Sequence, residues 1–384
     1  MNIVLCVTGS IAATESIKLA RELRRRGVDV TCFMSDDACK IIHPNAMEFA
    51  TGEKVITELS GEIEHVKFSQ KDLILVAPAT ANVISKFAYK IADNPINSLL
   101  ITAYGYKTPI LFVPSMHDSM YKAVASNIEK LKKEGINFVK PRIEESKAKF
   151  PKIEDIVLKS LRTIGTNKDF TGKKVLISLG GTYEAIDPIR GISNKSSGKM
   201  GLALAKEAFI RGADLKLIRG KVDVDIPKSF DTIFTESSKE MNDKTKELVS
   251  EYDIFIATAA VSDFAPIEKE NSKISSSFDL SLEFKPTEKI IKQIKDINPK
   301  IFLIGFKAEY NIPEVDMIKL AKKQIKNVGT DLVVANDVSI KGCGFGSDDN
   351  EVILVDDDIF KIKISSKEEI AKAIFDRIFE LISK

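Results

Sequence analysis

One pattern constrains this chain more than any other. A short apolar run leads through a tight turn of small residues into an amphipathic helix, and it does so at the head of each half. Ile3, Val4, Leu5, Cys6 and Val7 run into Thr8-Gly9-Ser10. Apolar Ile11, Ile17, Leu19, Ala20 and Leu23 then recur at helical spacing, with Arg21, Arg24, Arg25 and Arg26 as the wet side. Gly27 is placed to stop that helix. Residues 175–179 run in the same way into Gly180-Gly181-Thr182, and a helix is expected over 199–211, stopped by Gly212. Apolar strands alternating with helices read as a parallel sheet covered on both faces. Further strands are expected at 28–34, 73–77 and 110–113, then at 215–218, 254–257, 301–305 and 332–335. A hairpin of 352–355 with 359–364 and a helix over 368–382 close the chain. Residues 135–168 are rich in Lys and Glu and break the alternation. A helix is expected at 153–162, and the remainder reads as loop and linker.

The expected fold class is α/β, with two tandem doubly wound Rossmann-like domains. A length of 384 residues suits two domains at roughly 100–200 residues each. The charge balance, 57 basic against 55 acidic residues, creates no global field for nucleic acid or an anionic membrane. No apolar run reaches the ~18 residues of a membrane span, and the start lacks the basic, then apolar, pattern of a secretory signal. A cytoplasmic protein is therefore expected. Cys6, Cys32, Cys39 and Cys343 form no C-x-x-C pattern, which argues against structural zinc. His43, His65 and His117 are the three histidines, so a histidine-dependent step has few candidates.

In an open parallel sheet, ligands sit beyond the carboxyl ends of the strands. In the first half these ends carry Thr8-Gly9-Ser10, then Ala77-Pro78-Ala79-Thr80-Ala81-Asn82, then Pro114-Ser115-Met116-His117-Asp118-Ser119-Met120-Tyr121. Glycine lets a phosphate approach backbone N–H groups. Thr80 offers a hydrogen bond to a ligand or a cap to the following helix. A neutral His65 imidazole suits a general base. The first turn is not G-x-G-x-x-G, which disfavours a dinucleotide dehydrogenase.

These segments resemble the homo-oligomeric flavin-containing cysteine decarboxylases, over residues 1–165. The resemblance implies a flavodoxin-like domain that binds FMN. Gly9, Ser10 and Ser35 would lie at the phosphate and ribityl side, and Ala79, Thr80 and Asn82 would contact the flavin. His65 corresponds to the catalytic base. The flavin would oxidise a cysteinyl thiol to a thioaldehyde, allowing CO2 to leave. The family segment reads Pro-x-Met-Asn-x-x-Met-Trp/Tyr; here Met116 is kept and His117 stands at the carboxylate-gripping Asn. Bacterial members carry a cysteine in a substrate clamp. The matching stretch, 141–151, holds Glu144, Glu145, Lys147 and Lys149 but no Cys, so the proton donor is unassigned.

The second half offers Gly180-Gly181-Thr182, then Asp187-Pro188-Ile189-Arg190-Gly191-Ile192-Ser193-Asn194-Lys195-Ser196-Ser197-Gly198-Lys199-Met200-Gly201. This is not a P-loop, because Ser193 and Met200 stand where a Gly and a Ser/Thr are needed. Ala257-Thr258-Ala259-Ala260-Val261-Ser262-Asp263-Phe264, Gly305-Phe306-Lys307-Ala308-Glu309, Ala335-Asn336-Asp337 and the Gly-rich 341–348 follow in order. Together they resemble the phosphopantothenate–cysteine ligases over residues 170–384. The resemblance implies a nucleotide-binding domain that joins 4'-phosphopantothenate to cysteine with CTP and Mg²⁺ through an acyl-cytidylate. Asn194 matches the residue holding the activated acyl group. Ala257, Thr258, Ala259 and Asp263 match nucleotide contacts, Lys273 the essential lysine, Phe306 a base or ribose contact, and Lys322 and Lys326 two triphosphate-binding lysines. Where the family has a Lys-rich patch, this chain has Ser275-Ser276-Ser277.

The implied whole is a bifunctional enzyme acting on small molecules. The implied assembly is a homo-oligomer, with trimers of flavin domains and dimers of ligase domains combining into a dodecamer. The alternatives are an active ligase beside an altered flavin domain, and a regulatory flavoprotein acting through protein partners.

Overall fold

The computed structural model describes residues 1–144, 147–165, 168–275 and 280–383. The chain separates into two compact units, Met1–Thr166 and Asn167–Lys384.

The first unit is built on a parallel sheet of β1 (Asn2–Val7), β2 (Asp29–Met34), β3 (Leu73–Ala79), β4 (Ile110–Pro114) and β5 (Asn137–Phe138), in the order β2-β1-β3-β4-β5. That is the flavodoxin-like order, with its switch point between β1 and β3. β3 and β4 are buried along their whole length, as strands covered on both faces must be. One core cluster packs helix Ala13–Arg25 and helix Ile153–Ile164 on one face, and another packs helices Ala81–Ala88 and Pro95–Gly105 on the other. Two readings are corrected. Ile11 is not on the buried helix face: it precedes the helix and is 80% exposed. Residues 135–152 are not all loop, because Asn137–Phe138 is the fifth strand and Arg142–Glu144 pairs with Lys147–Lys149 in an antiparallel hairpin. Strands of two or three residues show no alternation, so periodicity cannot find them.

The second unit has an eight-stranded sheet: β6 (Lys174–Leu179), β7 (Asp214–Arg219), β8 (Asp231–Phe234), β9 (Ile254–Ala257), β10 (Phe302–Glu309), β11 (Leu332–Asp337), β12 (Asp349–Val355) and β13 (Ile359–Ser366). The order is β8-β7-β6-β9-β10-β11-β12-β13. The first six strands are parallel, in the Rossmann order, and the last two turn antiparallel. Helix Lys199–Ile210 packs against helix Lys367–Ile382. The second begins with a capping box in which Ser366 and Glu369 satisfy each other's backbone N–H groups. Among the described residues no helix is long and apolar enough to cross a membrane.

Candidate active sites

In the first unit, the polar strand ends are tied to one another across the switch point. Thr8 Oγ1 donates to Pro78 O at 2.7 Å and accepts from Thr80 N at 3.2 Å. Ser10 Oγ reaches Ser115 O at 3.4 Å and Ser115 Oγ at 3.5 Å. Gly9, Ser10, Ala79, Thr80, Met116 and His117 therefore share one edge of the sheet, as does Ser35, whose N–H donates to Val7 O at 3.1 Å. A Cβ on Gly9 would lie 2.4 Å from Asp37 Cβ, so the close approach there demands glycine. Ser35 and Thr80 each cap a helix, accepting from Ala38 N at 3.2 Å and Val83 N at 3.5 Å. Ala79 is buried and Asn82 exposed.

His65 sits in the connection from β2 to β3, on the short helix Glu64–Lys67, which packs against helix Pro95–Gly105. Ile63, just before it, takes a left-handed conformation with φ 48°, rare for a β-branched residue. The Glu64 carboxylate accepts from Ser60 N at 2.9 Å and Ser60 Oγ at 2.5 Å, which pulls its pKa below the usual carboxylate range and fixes the turn. His65 Nδ1 is buried and has no hydrogen-bond partner among the described residues. A buried polar atom left unpaired is costly, so a second group is needed to complete it.

His117 is exposed and caps helix Asp118–Ala123: its Nδ1 accepts from Ser119 N at 3.3 Å and lies 2.7 Å from Ser119 Oγ. In the neutral ring this leaves Nε2–H as the free donor. Strand Met116–His117 pairs antiparallel with Lys147–Lys149, Met116 opposite Ala148 and His117 opposite Lys147. The stretch matched to the clamp is thus hydrogen-bonded to the segment matched to carboxylate binding. Glu145 lies outside the described residues, as do the side chains of Glu144 and Lys147. Cys6 and Cys32 are buried in the sheet, where burial pushes their thiols up.

In the second unit a cavity of about 900 Å³ opens at the switch point between β6 and β9. Asn194, Ala257, Thr258, Ala259, Asp263 and Phe306 all line it. Asn194 Nδ2 donates to Val261 O at 3.0 Å, joining two of the sequence motifs in one wall. Thr258 Oγ1 donates to Ser178 O at 2.7 Å, and Ser262 N donates to Thr182 Oγ1 at 2.9 Å. A Cβ on Gly201 would lie 2.4 Å from Leu179 Cβ and 2.6 Å from Thr258 Oγ1, so glycine lets the helix start approach the strand ends.

Three lysines stand differently from expectation. Lys322 and Lys326 do not line the cavity; Lys323, on the same helix Glu314–Val328, does. Adjacent helical positions are 100° apart, so Lys322 and Lys323 present their side chains to different sides of this helix. Lys273 is exposed and also lies outside the lining, on the long β-hairpin whose arms, Phe264–Pro266 and Phe284–Pro286, rise from the cavity mouth. Ser276 and Ser277 lie outside the described residues.

Sequence reasoning missed Lys289, Lys199 and Lys367. Lys289 lines the cavity and pairs with Asp263. Lys199 Nζ donates to Gly346 O at 2.6 Å and Asp348 Oδ1 at 2.7 Å, and Lys367 Nζ donates to Ser347 O, so two helix starts hold the Gly-rich loop against the cavity. Burial and the nearby Lys199 push the Lys367 ammonium below the usual lysine range. A lysine at the first helical position, facing a Gly-rich loop, was the available signal. Among the described residues no group of three or more His, Cys, Asp or Glu gathers to hold a metal ion.

Comparison with known proteins follows the same division. A family model described as "Flavoprotein" matches residues 1–165, and one described as "DNA/pantothenate metabolism flavoprotein C-terminal domain" matches residues 170–382. Three curated relatives are similar over nearly the full chain, and each is described as "Coenzyme A biosynthesis bifunctional protein CoaBC". The relative from Thermococcus kodakarensis is 47% identical, over 99% of this chain and 95% of its own. The relative from Methanocaldococcus jannaschii is 40% identical, over 99% and 94%. The relative from Bacillus subtilis is 35% identical, over 99% and 97%.

Proposed function

The chain belongs to the family of coenzyme A biosynthesis bifunctional proteins, which join a decarboxylase to a ligase, and on that premise we propose that each unit performs one of two consecutive reactions. Residues 170–384 ligate 4'-phosphopantothenate to cysteine at the expense of CTP. Residues 1–165 decarboxylate the product, 4'-phosphopantothenoylcysteine, to 4'-phosphopantetheine with a bound flavin, FMN. The observation that supports the ligase half is the hydrogen bond from Asn194 to Val261 O in the cavity wall, which joins two of the motifs matched to the ligases.

In the ligase unit a carboxylate must first gain a good leaving group. Its oxygen attacks the α-phosphorus of CTP, pyrophosphate leaves, and an acyl-cytidylate forms. The cysteine amine then attacks the acyl carbon and CMP departs. Asn194 orients the acyl group. Ala257, Thr258, Ala259, Asp263 and Phe306 hold the nucleoside. Lys273, and Lys323 in place of Lys322, offset the phosphate charge. A Mg²⁺ ion brought in by the triphosphate would offset part of its charge.

In the other unit, hydroxyls and small residues at one sheet edge fit a flavin phosphate and ring: Gly9, Ser10 and Ser35 on the phosphate side, Ala79, Thr80 and Asn82 beside the ring. His65 Nδ1, buried and without a hydrogen-bond partner among the described residues, is available to a further group. When bound, the flavin supplies the reversible two-electron oxidation of the cysteinyl thiol that makes CO2 loss feasible. His65 takes the thiol proton. His117, with Nδ1 occupied by Ser119, donates from Nε2 to the substrate carboxylate, beside Met116. The protein acts in the cytoplasm as a homo-oligomer, with trimeric flavin units and dimeric ligase units.

The test is product mass spectrometry on the purified protein with 4'-phosphopantothenate, cysteine, CTP, Mg²⁺ and FMN. The expected end mass is 4'-phosphopantetheine. A reaction that stops at 4'-phosphopantothenoylcysteine contradicts the flavin half of the reading, and no condensation at all contradicts the ligase half.

A further inference from the structure

The loop between β11 and β12 carries Gly342, Gly344 and Gly346, yet it is tied down along its length. Val338 N donates to Glu309 O at 2.9 Å, and Cys343 N to Ile340 O at 2.9 Å. Ser347 N donates to Gly344 O at 3.3 Å, which closes a turn around Phe345. Gly346 stands in that turn with φ 87°, a left-handed backbone that favours glycine. Two lysines then fasten the turn from outside. Lys199 Nζ donates to Gly346 O at 2.6 Å and to Asp348 Oδ1 at 2.7 Å. Lys367 Nζ donates to Ser347 O, and its backbone N–H donates to Asp348 O at 3.1 Å. These lysines are the first residues of helices Lys199–Ile210 and Lys367–Ile382, which pack on each other, so both anchors stand on one base. Lys367 is 8% exposed, and burying an ammonium is costly unless its hydrogens are used. Here they are spent on the loop backbone.

The side chain so held is Phe345, the one aromatic residue of 341–348. It lines the cavity and is 53% exposed, whereas Cys343 beside it is buried. The neighbouring wall comes from the ends of β10 and β11. Phe306 on β10 lines the cavity and stands opposite Val334 of β11. Asn336, two residues further along β11, lines the cavity as well. Val338 follows, and its carbonyl oxygen lies 3.4 Å from where a Cβ on Gly344 would stand. The strand ends that offer Phe306 and the loop that offers Phe345 are therefore one continuous wall. A benzyl face takes up an apolar or flat aromatic partner and holds no phosphate. Among 4'-phosphopantothenate, cysteine and CTP, only CTP carries a flat ring.

We propose that Phe345 is a binding contact for the nucleobase in the ligase reaction, and that Lys199 and Lys367 are positioning residues that hold it in place through the loop backbone. The inference rests on the reading of this cavity as the CTP site. A loop with three glycines left untethered would lose its conformational freedom at each binding event, whereas an anchored loop has lost it in advance. Stacking on an aromatic side chain is tolerant of ring identity, so Phe345 supplies affinity for the base while hydrogen-bonding groups elsewhere select it.

The experiment uses the full chain with Phe345→Ala, Phe345→Tyr, Lys367→Met and the double variant Phe345→Ala/Lys367→Met. Calorimetric titration gives the Kd for CTP and for inorganic pyrophosphate, each with Mg²⁺, and hydrogen exchange reads the amides of 343–348. Phe345→Ala is expected to weaken CTP by ~10-fold, the scale of one lost base–aromatic stack. Pyrophosphate binding stays within about twofold, and Phe345→Tyr, which keeps the face, binds CTP within about twofold of the parent. Lys367→Met weakens CTP by a similar factor and speeds exchange at 343–348. In the double variant it adds less than about twofold to Phe345→Ala, because both changes remove the same contact. Circular dichroism matching the parent shows that each variant is folded; Lys199→Met, alone and with Phe345→Ala, decides the matter if Lys367→Met is not. Parent-like CTP affinity in Phe345→Ala overturns the proposal. Equal losses of CTP and pyrophosphate affinity also overturn it, since the loop would then serve the phosphates. Additive losses in the double variant overturn the positioning role of the lysine. A parent chain that binds no CTP defeats the reading of the cavity itself, and that result is seen before any variant is compared.

Discussion

The two units place their sites at the same part of the same kind of sheet and finish them differently. Around β6 and β9, the helix start at 198–201 and the Gly-rich loop at 343–346 line a half-open cavity of about 900 Å³ beyond the strand ends. Around β1 and β3, the connections are short and bonded to one another, while Ile11 and Met120 are left 80% and 50% exposed. A cavity of this size suits a site that must hold a nucleotide and a second substrate together. An edge with exposed apolar side chains leaves the strand ends of the first unit open. The contrast teaches that a doubly wound sheet supplies a location, and that the loops decide whether it becomes a pocket or a platform.

The contrast can be broken most severely at Lys273. Lys273→Gln is expected to lower pyrophosphate release by ~10²-fold or more, the scale of losing a charge aimed at a transferring phosphoryl group. Decarboxylation of added 4'-phosphopantothenoylcysteine should stay at the parent rate. Loss of both activities would show that the units do not work independently.

A change at Lys323 sharpens the comparison at the cavity. Lys323→Ala is expected to raise the KM for CTP by ~10-fold, with a shallower dependence on salt, whereas Lys322→Ala shifts it by less than about twofold. Equal effects would mean that helix facing does not select the phosphate ligand. On the open edge, Gly9→Ala should cost about 1–3 kcal/mol through its clash with Asp37 and should release flavin on gel filtration. Full flavin retention with an unchanged melting temperature would contradict the close approach.

The smallest effect expected is on acid stability. Burial would raise the Asp187 carboxyl, but backbone N–H groups and the Arg190 guanidinium outweigh it and depress its pKa in the folded state. Its contribution is therefore present above the unfolded value of ~3.9 and is lost as pH falls toward the lower folded value. Asp187→Asn should therefore melt lower than the parent at pH 7, with the gap narrowing on acidification below about 4. A gap that is constant with pH would show that the carboxylate charge is not what the fold uses.

The long strands and helices were legible because their burial writes a period into the sequence. β1, β4 and helix Lys199–Ile210 lie within a residue or two of where apolar runs and terminal glycines put them. The small hairpins were not legible, because three-residue strands such as Tyr183–Ala185 carry no period and are held by side-chain bonds to distant residues. The sites divide in the same way. Gly9 and Thr80 come one or two residues after strand ends, so sequence order places them, whereas Asn194 and Asp263 lie further out in the loops beyond β6 and β9 and were marked only by the resemblance. Which lysine turns inward on helix Glu314–Val328, and that Lys289 faces Asp263, depend on packing between elements that local sequence does not encode.

In the proposed reading one chain holds two separable chemistries, one per unit. The most direct test is His65→Asn, followed by mass spectrometry and CMP release with 4'-phosphopantothenate, cysteine, CTP, Mg²⁺ and FMN. The expected result is parent-rate CMP release, accumulation of 4'-phosphopantothenoylcysteine and loss of 4'-phosphopantetheine by ~10²-fold or more, as for a missing general base. Parent-level 4'-phosphopantetheine, or a matching collapse of CMP release, would contradict it.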